Sequence, residues 1–513
     1  MRYLVTGEQM KKIDTYTIET VGIPSLVLME RAAMAVTREA MARLKQGDHI
    51  FAVCGTGNNG ADGVAAARML ALNGYSVTVL IAGDPKRGTK EFHVQKEIAQ
   101  KLEIPMAEWK DFLPGRCDLL IDAVFGVGLT REVEGEYREV LDTINRMHPG
   151  TVIAVDMPSG IHSATGQVMG TAVKADVTVT FGYEKLGSVL YPGREYCRQV
   201  VVEDIGFPAV SLKQAEPFAW TYGREDLDRI PGRPAYSNKG TFGKVLLIAG
   251  SGGMSGAAYL AGLAAYRTGA GLVKIMTVEE NREILLQQLP EAILTAYRKE
   301  DIEEKPGRGL SPSWEERMEK ECGWADVIVL GPGLGQDPYV RLLVKSVLTS
   351  AYVPIVVDAD GLNAIAAWPE LEQYYTENIV ITPHLGEMAR LTGRPVSQIQ
   401  KAVAETALEY SGSRGIVCVL KDAATAVANR EGQCYMNSSG NSCMAKAGSG
   451  DVLAGTIAGL LSQGMEPFDG AALGVYIHGL AGDRYKEKYG ENGMLARDLA
   501  EEIGKIGQRG CVL

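Results

Sequence analysis

The chain has no uninterrupted apolar run of about 18 residues, the length a helix needs to cross a bilayer, so no transmembrane helix is expected. Its opening, MRYLVTGEQMKKIDTYTIET, lacks the apolar h-region of a secretory leader, which points to a cytoplasmic protein. Cysteine pairs of the C-x-x-C type are also missing. The eight cysteines (54, 117, 197, 322, 418, 434, 443 and 511) are scattered, several inside apolar runs such as IFAVCG and GIVCVLK. They read as small buried hydrophobes in a reducing compartment. Positive charge is not in excess: 52 Lys plus Arg stand against 63 Asp plus Glu, a net charge of −11. That balance argues against a general nucleic-acid or anionic-membrane binder. No G-x-x-x-x-G-K-[ST] phosphate loop occurs, and the two halves show no sequence repeat.

What is present is an α/β pattern. The 513 residues, 46% apolar and 22% charged, suit a soluble protein of two to four domains. β-rich runs at 51–55, 76–83, 118–126, 151–160 and 175–182 leave room for a helix in most gaps, as in βαβ units on a parallel sheet. Two helices precede the first strand; Thr6 and Gln9 are placed for a capping box, and Ile23-Pro24 separates the helices. A second series of runs lies at 243–253, 271–278, 325–335, 353–360, 378–387 and 415–425. Between the series, Pro208, Pro217, Pro231 and Pro234 with the run TYGREDLDRIPGRPAYSNKG read as a linker, placing a boundary near 220.

Gly55-Thr-Gly57-Asn-Asn-Gly60 fits the G-x-G-x-x-G turn of dinucleotide-binding folds, with a strand before it and a helix after. Alone it is a weak signal, as often a plain turn. Its neighbours are wrong for a dehydrogenase: Asn58, Asn59 and Asp62 crowd a helix start that should be small and apolar, and Asp62 would repel a phosphate there. Such residues suit a cation, or hydroxyl and amide groups. Asp122 in LLIDAVFGVGLTREVEG, and Asp156 and Ser159 in VIAVDMPSGIHSATG, end later strands. One such aspartate reads first as a helix cap. Several at the carboxyl ends of parallel strands converge on one cleft.

These motifs, with VTFGYEKLGSVLYPGR and the preamble EQMKKIDTYTIETVGIPSLVLMERAA, resemble the N-terminal domain of NAD(P)H-hydrate epimerases over about residues 5–210. The resemblance implies a Rossmann-like domain acting on nicotinamide nucleotide hydrated at C6. It implies substrate contacts from Asn58, Asn59, Gly60, Ala61 and Asp62, and from Gly126, Val127, Gly128, Leu129, Thr130, Arg131 and Glu132. Asp156 would bind the hydrate and serve as the leading acid/base, and Asn59, Asp122 and Ser159 would hold a potassium ion. Ala61 stands where the family usually has Gly, and its methyl is expected to affect the substrate's approach only mildly. Lys185 is a weaker candidate for the same proton shuttle and reads first as a solvated surface lysine.

In the second half, NSCMAKAGSGDVLAGTIAGLLSQG opens a helix at Gly448-Ser-Gly450-Asp451. Backbone amides at that start form an anion hole, with Asp451 beside it as a general base; the plainer reading is a helix cap. KDAAT (421–425) follows an apolar strand, and GPGLG and GSGGMSGAA are further Gly-rich turns. His384, in TPHLGE, reads by itself as a satisfied loop histidine. Together with KGTFGKVLLIAGS, GAGLVKIMT, DADGLN and AKAGSGDVLAG, these resemble the ribokinase-like NAD(P)H-hydrate dehydratases over about residues 225–513. Leu385 replaces the family's usual Pro, and Asp422 a usually small residue.

By this resemblance Ala257, Gly333, Gly335, His384 and Asp451 contact the hydrate, while Lys421, Asp422, Ala423, Ala424, Thr425 and Gly450 hold ADP with Mg2+. The implied whole is a Rossmann-like epimerase domain over 1–220 followed by a ribokinase-like, ADP-dependent dehydratase domain over 221–513, in a homo-oligomer, tetramer or larger. Its partners would be hydrated NADH or NADPH and ADP, with neither nucleic acid nor membrane. Two rivals remain: a ribokinase-like small-molecule kinase with an accessory nucleotide-binding domain, and a non-catalytic nucleotide sensor.

Overall fold

A computed structural model describes residues 1–112, 115–302, 304–305 and 309–507. It divides into two compact units, Arg2–Trp220 and Thr221–Leu513, the latter joined by Met1. In the first, seven strands form one sheet: β1 (His49–Cys54), β2 (Ser76–Ile81), β3 (Met106–Glu108), β4 (Leu119–Ala123), β5 (Thr151–Val155), β6 (Val177–Phe181) and β7 (Gln199–Glu203). They run parallel in the order β3-β2-β1-β4-β5-β6-β7. The order reverses beside β1, and such a reversal opens a crevice outside the carboxyl ends of the strands. Helix Asn58–Leu72 leaves β1 at that point. Its Ala61, Val64, Ala65, Ala66, Ala67 and Leu70 are buried on the sheet.

A short strand, Arg2–Val5, precedes the opening helix, so the two helices do not come before the first strand as expected; that helix, Gly7–Thr15, is capped as its sequence predicts. Gln9 N donates to Thr6 Oγ1 (3.2 Å), and Thr6 N donates to Gln9 Oε1 (3.0 Å). A short π-helical turn ends at Gly22, and Pro24 starts helix Ser25–Met41. Ile13 and Met10 pack with Ala215 beneath this region.

The second unit carries β8 (Lys244–Ile248), β9 (Leu272–Val278), β10 (Ile293–Tyr297), β11 (Val327–Leu330), β12 (Ile355–Val357), β13 (Ile379–Ile381), β14 (Val417–Leu420), β15 (Ala426–Ala428) and β16 (Cys434–Met436). Their order is β10-β9-β8-β11-β12-β13-β14-β15-β16. The first seven are parallel and the last two join antiparallel. Strands β8, β9 and β11 to β13 are near-continuous Val, Ile and Leu, as sheets covered on both faces require. Helix Ser449–Leu461 is buried on every side from Val452 onward. It lies tight on helix Ser255–Thr268: a Cβ on Gly455 would come 2.1 Å from the Ala261 carbonyl oxygen.

Seven cysteines are buried free thiols, and Cys511 lies outside the described residues. Among the described residues no helix is long and apolar enough to cross a membrane.

The helix contact at Gly455 makes a test. Gly455→Val should destabilise the protein by about 1–3 kcal/mol, because a packed interior yields little to added methyl groups. Gly323→Ala, on helix Pro312–Trp324 with open space around the new methyl, should be neutral or stabilising by up to about 1 kcal/mol. Denaturant unfolding of the full chain measures both.

Candidate functional sites

In the first unit the crevice is a cleft of about 650 Å³. Helix Gly7–Thr15 presents one face to it at helical spacing, Gly7, Met10, Lys11 and Asp14. The start of helix Asn58–Leu72 adds Asn58, Asn59 and Asp62, and the loop after β4 adds Gly126, Val127, Gly128, Leu129, Thr130 and Arg131. Strand ends contribute Asp156 and Phe181, with Lys185 just beyond. Three expected contacts are not in the lining. Gly60 and Ala61 are buried beneath it, and Glu132 lies outside it. The Ala61 methyl packs into the core, away from the cleft, in keeping with the mild effect expected of it. Gly60 is required where it is, since a Cβ would sit 1.8 Å from the Gly55 carbonyl oxygen.

Asp156 adopts φ +66°, a strained value for a residue with a side chain. Its Oδ1 accepts from Lys185 Nζ (2.5 Å), Thr180 Oγ1 (3.0 Å) and Phe181 N (3.4 Å). Lys185 Nζ also donates to Thr180 Oγ1 (2.9 Å) and the Phe181 carbonyl (3.1 Å). Lys185 is 1% exposed, which overturns its reading as a solvated surface lysine. Charge on its stem is tolerable only because carboxylate and carbonyl oxygens replace the lost water.

Two more carboxyls face this pair. Burial, and then the charges of Asp156 and Asp14, hold Asp62 well above the usual carboxylate range. Asp14 is open to solvent along the cleft. Even so, the protein around its carboxyl, and then Asp156, push it up to about 6, with Lys185 opposing. Sequence reasoning overlooked Asp14, although the i, i+3, i+4, i+7 pattern from Gly7 carried the signal.

Below the cleft Asp122 is fully buried. Ser159 N donates to its Oδ2 (2.8 Å) and Ser159 Oγ to its Oδ1 (2.6 Å), while Phe125 N donates to Ser159 Oγ (2.8 Å). Burial pushes Asp122 up to about 6 against those hydrogen bonds. Asn59 Nδ2 is buried without a hydrogen-bond partner among the described residues, and its amide abuts Gly126. A half-turn of the amide would present oxygen to the unpaired position. Carboxylate, hydroxyl and amide oxygens form a donor set that fits a hard cation such as potassium.

In the second unit Gly450, Asp451 and Lys421 meet at the start of helix Ser449–Leu461. Its N-cap is Gly448 at φ +92°, and no side chain caps it, so Asp451 is not the helix cap. Lys421 Nζ donates to Asp358 Oδ1 (2.7 Å), which also accepts from Thr382 Oγ1 (2.7 Å). A Cβ on Gly450 would lie 3.3 Å from Lys421 Nζ, so the anion-binding turn and the lysine adjoin. Burial, then the charges of Asp358 and Asp360, push Asp451 up to about 7, with Lys421 opposing. Burial would discharge Lys421, but Asp358 and Glu387 raise its pKa and keep it protonated. His478 Nε2 lies 3.0 Å from the Ser449 carbonyl oxygen and is pushed down to about 4 by burial, so the neutral ring fixes the helix start.

His384 caps helix Leu385–Thr392: its Nδ1 accepts from Gly386 N (2.9 Å) and Glu387 N (3.3 Å). Burial, Lys421 and Arg390 depress its pKa. Leu385 is the first residue of that helix, a position proline also fits, so the replacement keeps the loop's shape. Gly333 (φ +64°) meets Ala257, since its Cβ would fall 2.8 Å from the alanine's. Gly335 N donates to Asp360 Oδ2 (2.8 Å) and lines a cavity of about 480 Å³ with Asp360, Asn363, Trp368 and Arg390; of the predicted residues it alone does so. Thr425 Oγ1 donates to the Asp422 carbonyl (3.1 Å), closing the 421–425 turn despite the larger Asp422. Ala423 is exposed and Ala424 buried. Asp358, Asp360 and Glu387 went unassigned in the sequence, although DADGLN and TPHLGE contain them.

The dehydratase family, described as NAD(P)H-hydrate dehydratase, matches residues 245–505, and the YjeF-related protein N-terminus matches residues 25–187. The chain is 38% identical to the bifunctional NAD(P)H-hydrate repair enzyme Nnr of Moorella thermoacetica, over 97% of this chain and 95% of that one. It is 35% identical to the Nnr of Thermofilum pendens, over 97% and 94%. The crystal structure of the ADP/ATP-dependent NAD(P)H-hydrate dehydratase from Bacillus subtilis, co-crystallised with ATP/Mg2+, matches at 34% identity and TM-score 0.47, over 55% of this chain and 96% of its own. With both halves matched in order and nearly full-length relatives above 30% identity, this chain belongs to the family of bifunctional NAD(P)H-hydrate repair enzymes.

Proposed function

We propose that residues 1–220 interconvert the R and S epimers of hydrated NADH and NADPH. Residues 221–513 then dehydrate the S form at the expense of ADP, releasing NAD(P)H, AMP and phosphate. One observation carries the second half of this reading: a carboxyl pushed up to about 7 stands at a glycine-rich helix start, beside a lysine paired with a buried aspartate. A base poised near neutrality takes a proton well at physiological pH.

Hydroxide is a poor leaving group. Asp451 takes the proton of the C6 hydroxyl, whose oxygen attacks the terminal phosphorus of ADP. The Gly450 amide and Lys421 stabilise charge on the transferring group. The ring nitrogen's lone pair then expels phosphate, and loss of a proton from C5 restores the dihydropyridine. Mg2+ would arrive with the nucleotide and offset phosphate charge; the carboxylates of Asp358 and Asp360 beside Asp451 suit its oxygen preference. In the first unit Asp156, held through Oδ1 by Lys185, Thr180 and Phe181, would face the ring with its Oδ2. Asn59, Asp122 and Ser159 would hold potassium, lending positive charge beneath the substrate.

A small-molecule kinase would share the phosphoryl step, yet leave a stable phosphate ester and return no reduced nicotinamide. Family membership over both halves supports repair instead.

Asp451→Ala should lower S-hydrate dehydration by about 100- to 10,000-fold and spare epimer exchange. Asp156→Ala should do the reverse. Recovery of reduced-nicotinamide absorbance with ADP reads the first activity, and chromatography of the epimers reads the second.

The base must be ionised, so the dehydration kcat should fall tenfold per pH unit below about 7. Lys421→Met removes the charge that holds Asp451 down. Its profile should therefore shift to higher pH, with a raised KM for ADP.

Exchanging potassium for tetramethylammonium should slow epimer exchange in the unaltered protein, and Asp122→Asn should blunt that dependence. Initial rates of epimer exchange across a potassium titration make the comparison.

A further inference from the structure

The two epimers carry the C6 hydroxyl on opposite faces of the ring. Exchange between them passes through a planar cation with a C6=N1 double bond, formed when the ring nitrogen's lone pair expels the hydroxyl. A single fixed carboxyl serves one face of such a cation. Asp156 is fixed: a buried lysine, a threonine hydroxyl and a backbone amide hold its Oδ1. The other face needs its own proton carrier.

The cleft offers one from a different element. Asp14 lies on the opening helix, whose Gly7, Met10 and Lys11 line the same space. That helix is locked to the substrate loop, since Gly7 lies where a Cβ would come 2.4 Å from Ser163 Oγ and 2.6 Å from the Val127 carbonyl oxygen. Its far side is anchored by Gln9 Nε2 donating to the Glu216 carbonyl (3.1 Å). Asp14 therefore has a rigid mount, and it opens to water along the cleft.

Building on the epimerase reading above, we propose that Asp14 is the second acid–base group of the cleft, serving the ring face opposite Asp156. In one direction the Asp14 carboxylic acid gives its proton to the departing hydroxyl; the C6–O bond breaks, the C6=N1 bond forms and water leaves. A water at the other face then adds to C6, the electron pair returns to N1, and the Asp156 carboxylate takes the surplus proton. The reverse direction uses the same groups with donor and acceptor exchanged, and solvent resets the protons. A carboxyl lifted toward neutrality suits this task. The charged and titratable groups around it are Lys11, Asp62, Glu91, Arg131, Tyr137, Asp156 and Lys185.

The test uses the full chain, purified R- and S-hydrates without ADP, and chromatography of the epimers. Asp14→Asn should lower the exchange kcat at least about 100-fold in both directions, with KM changed less than threefold, and Asp14→Glu should restore part of the loss. The unaltered protein should show a pH limb near 6 that the residual Asp14→Asn activity lacks. Exchange by Asp14→Asn within threefold of the unaltered rate, or an unmoved limb, would overturn the proposal. So would a loss that Asp14→Glu does not recover at all. No exchange by the unaltered protein would instead strike the epimerase reading on which it rests.

Discussion

Each unit is organised around a lysine paired with a buried aspartate at the carboxyl end of its parallel sheet. Lys185 meets Asp156 at 2.5 Å and Lys421 meets Asp358 at 2.7 Å. Removing one member would strand the other in a poorly solvated place, a loss of about 3–5 kcal/mol for a buried pair. The pairs do more than hold shape. They place one positive charge among several carboxyls, so Asp14 in one cleft and Asp451 in the other are held between the surrounding protein and neighbouring carboxylates, which protonate them, and lysine, which ionises them. The outcome for Asp14 and Asp451 lies near neutrality.

Much of the fold was legible because its strands are short apolar runs separated by helical spacing. The opening capping box and the break at Pro24 could be read residue by residue. The strands that escaped were those with the least burial pattern to betray them. Met106–Glu108 is three half-buried residues, Ile293–Tyr297 and Gln199–Glu203 are edge strands open on one side, and Ala426–Ala428 and Cys434–Met436 are three residues each. A three-residue strand shows no periodicity.

The sites were legible to the extent that backbone turns announce themselves. Glycine runs placed both helix starts, and strand-end aspartates pointed to the clefts. Long-range partners were not legible. Nothing local says that Lys185 turns inward to Asp156, 29 residues away, or that Lys421 spans 63 residues to Asp358. Ala61 shows the converse error: it belongs to the substrate motif by position, but helix geometry points its methyl at the core. A motif names a segment, while the period of the element decides which members face the ligand.

On the proposed reading, the acidic molecule would hold anionic nucleotides with local devices, backbone amides and paired lysines, in place of a basic surface. The claim beneath all of this is electrostatic, and carboxyl titration reads it directly. In protein carrying 13C at aspartate side chains, with the Asp451 signal identified by its loss in Asp451→Asn, that carboxyl should titrate near 7 in the ligand-free state. Titration at about 4, the value of an ordinary solvated aspartate, would contradict the account.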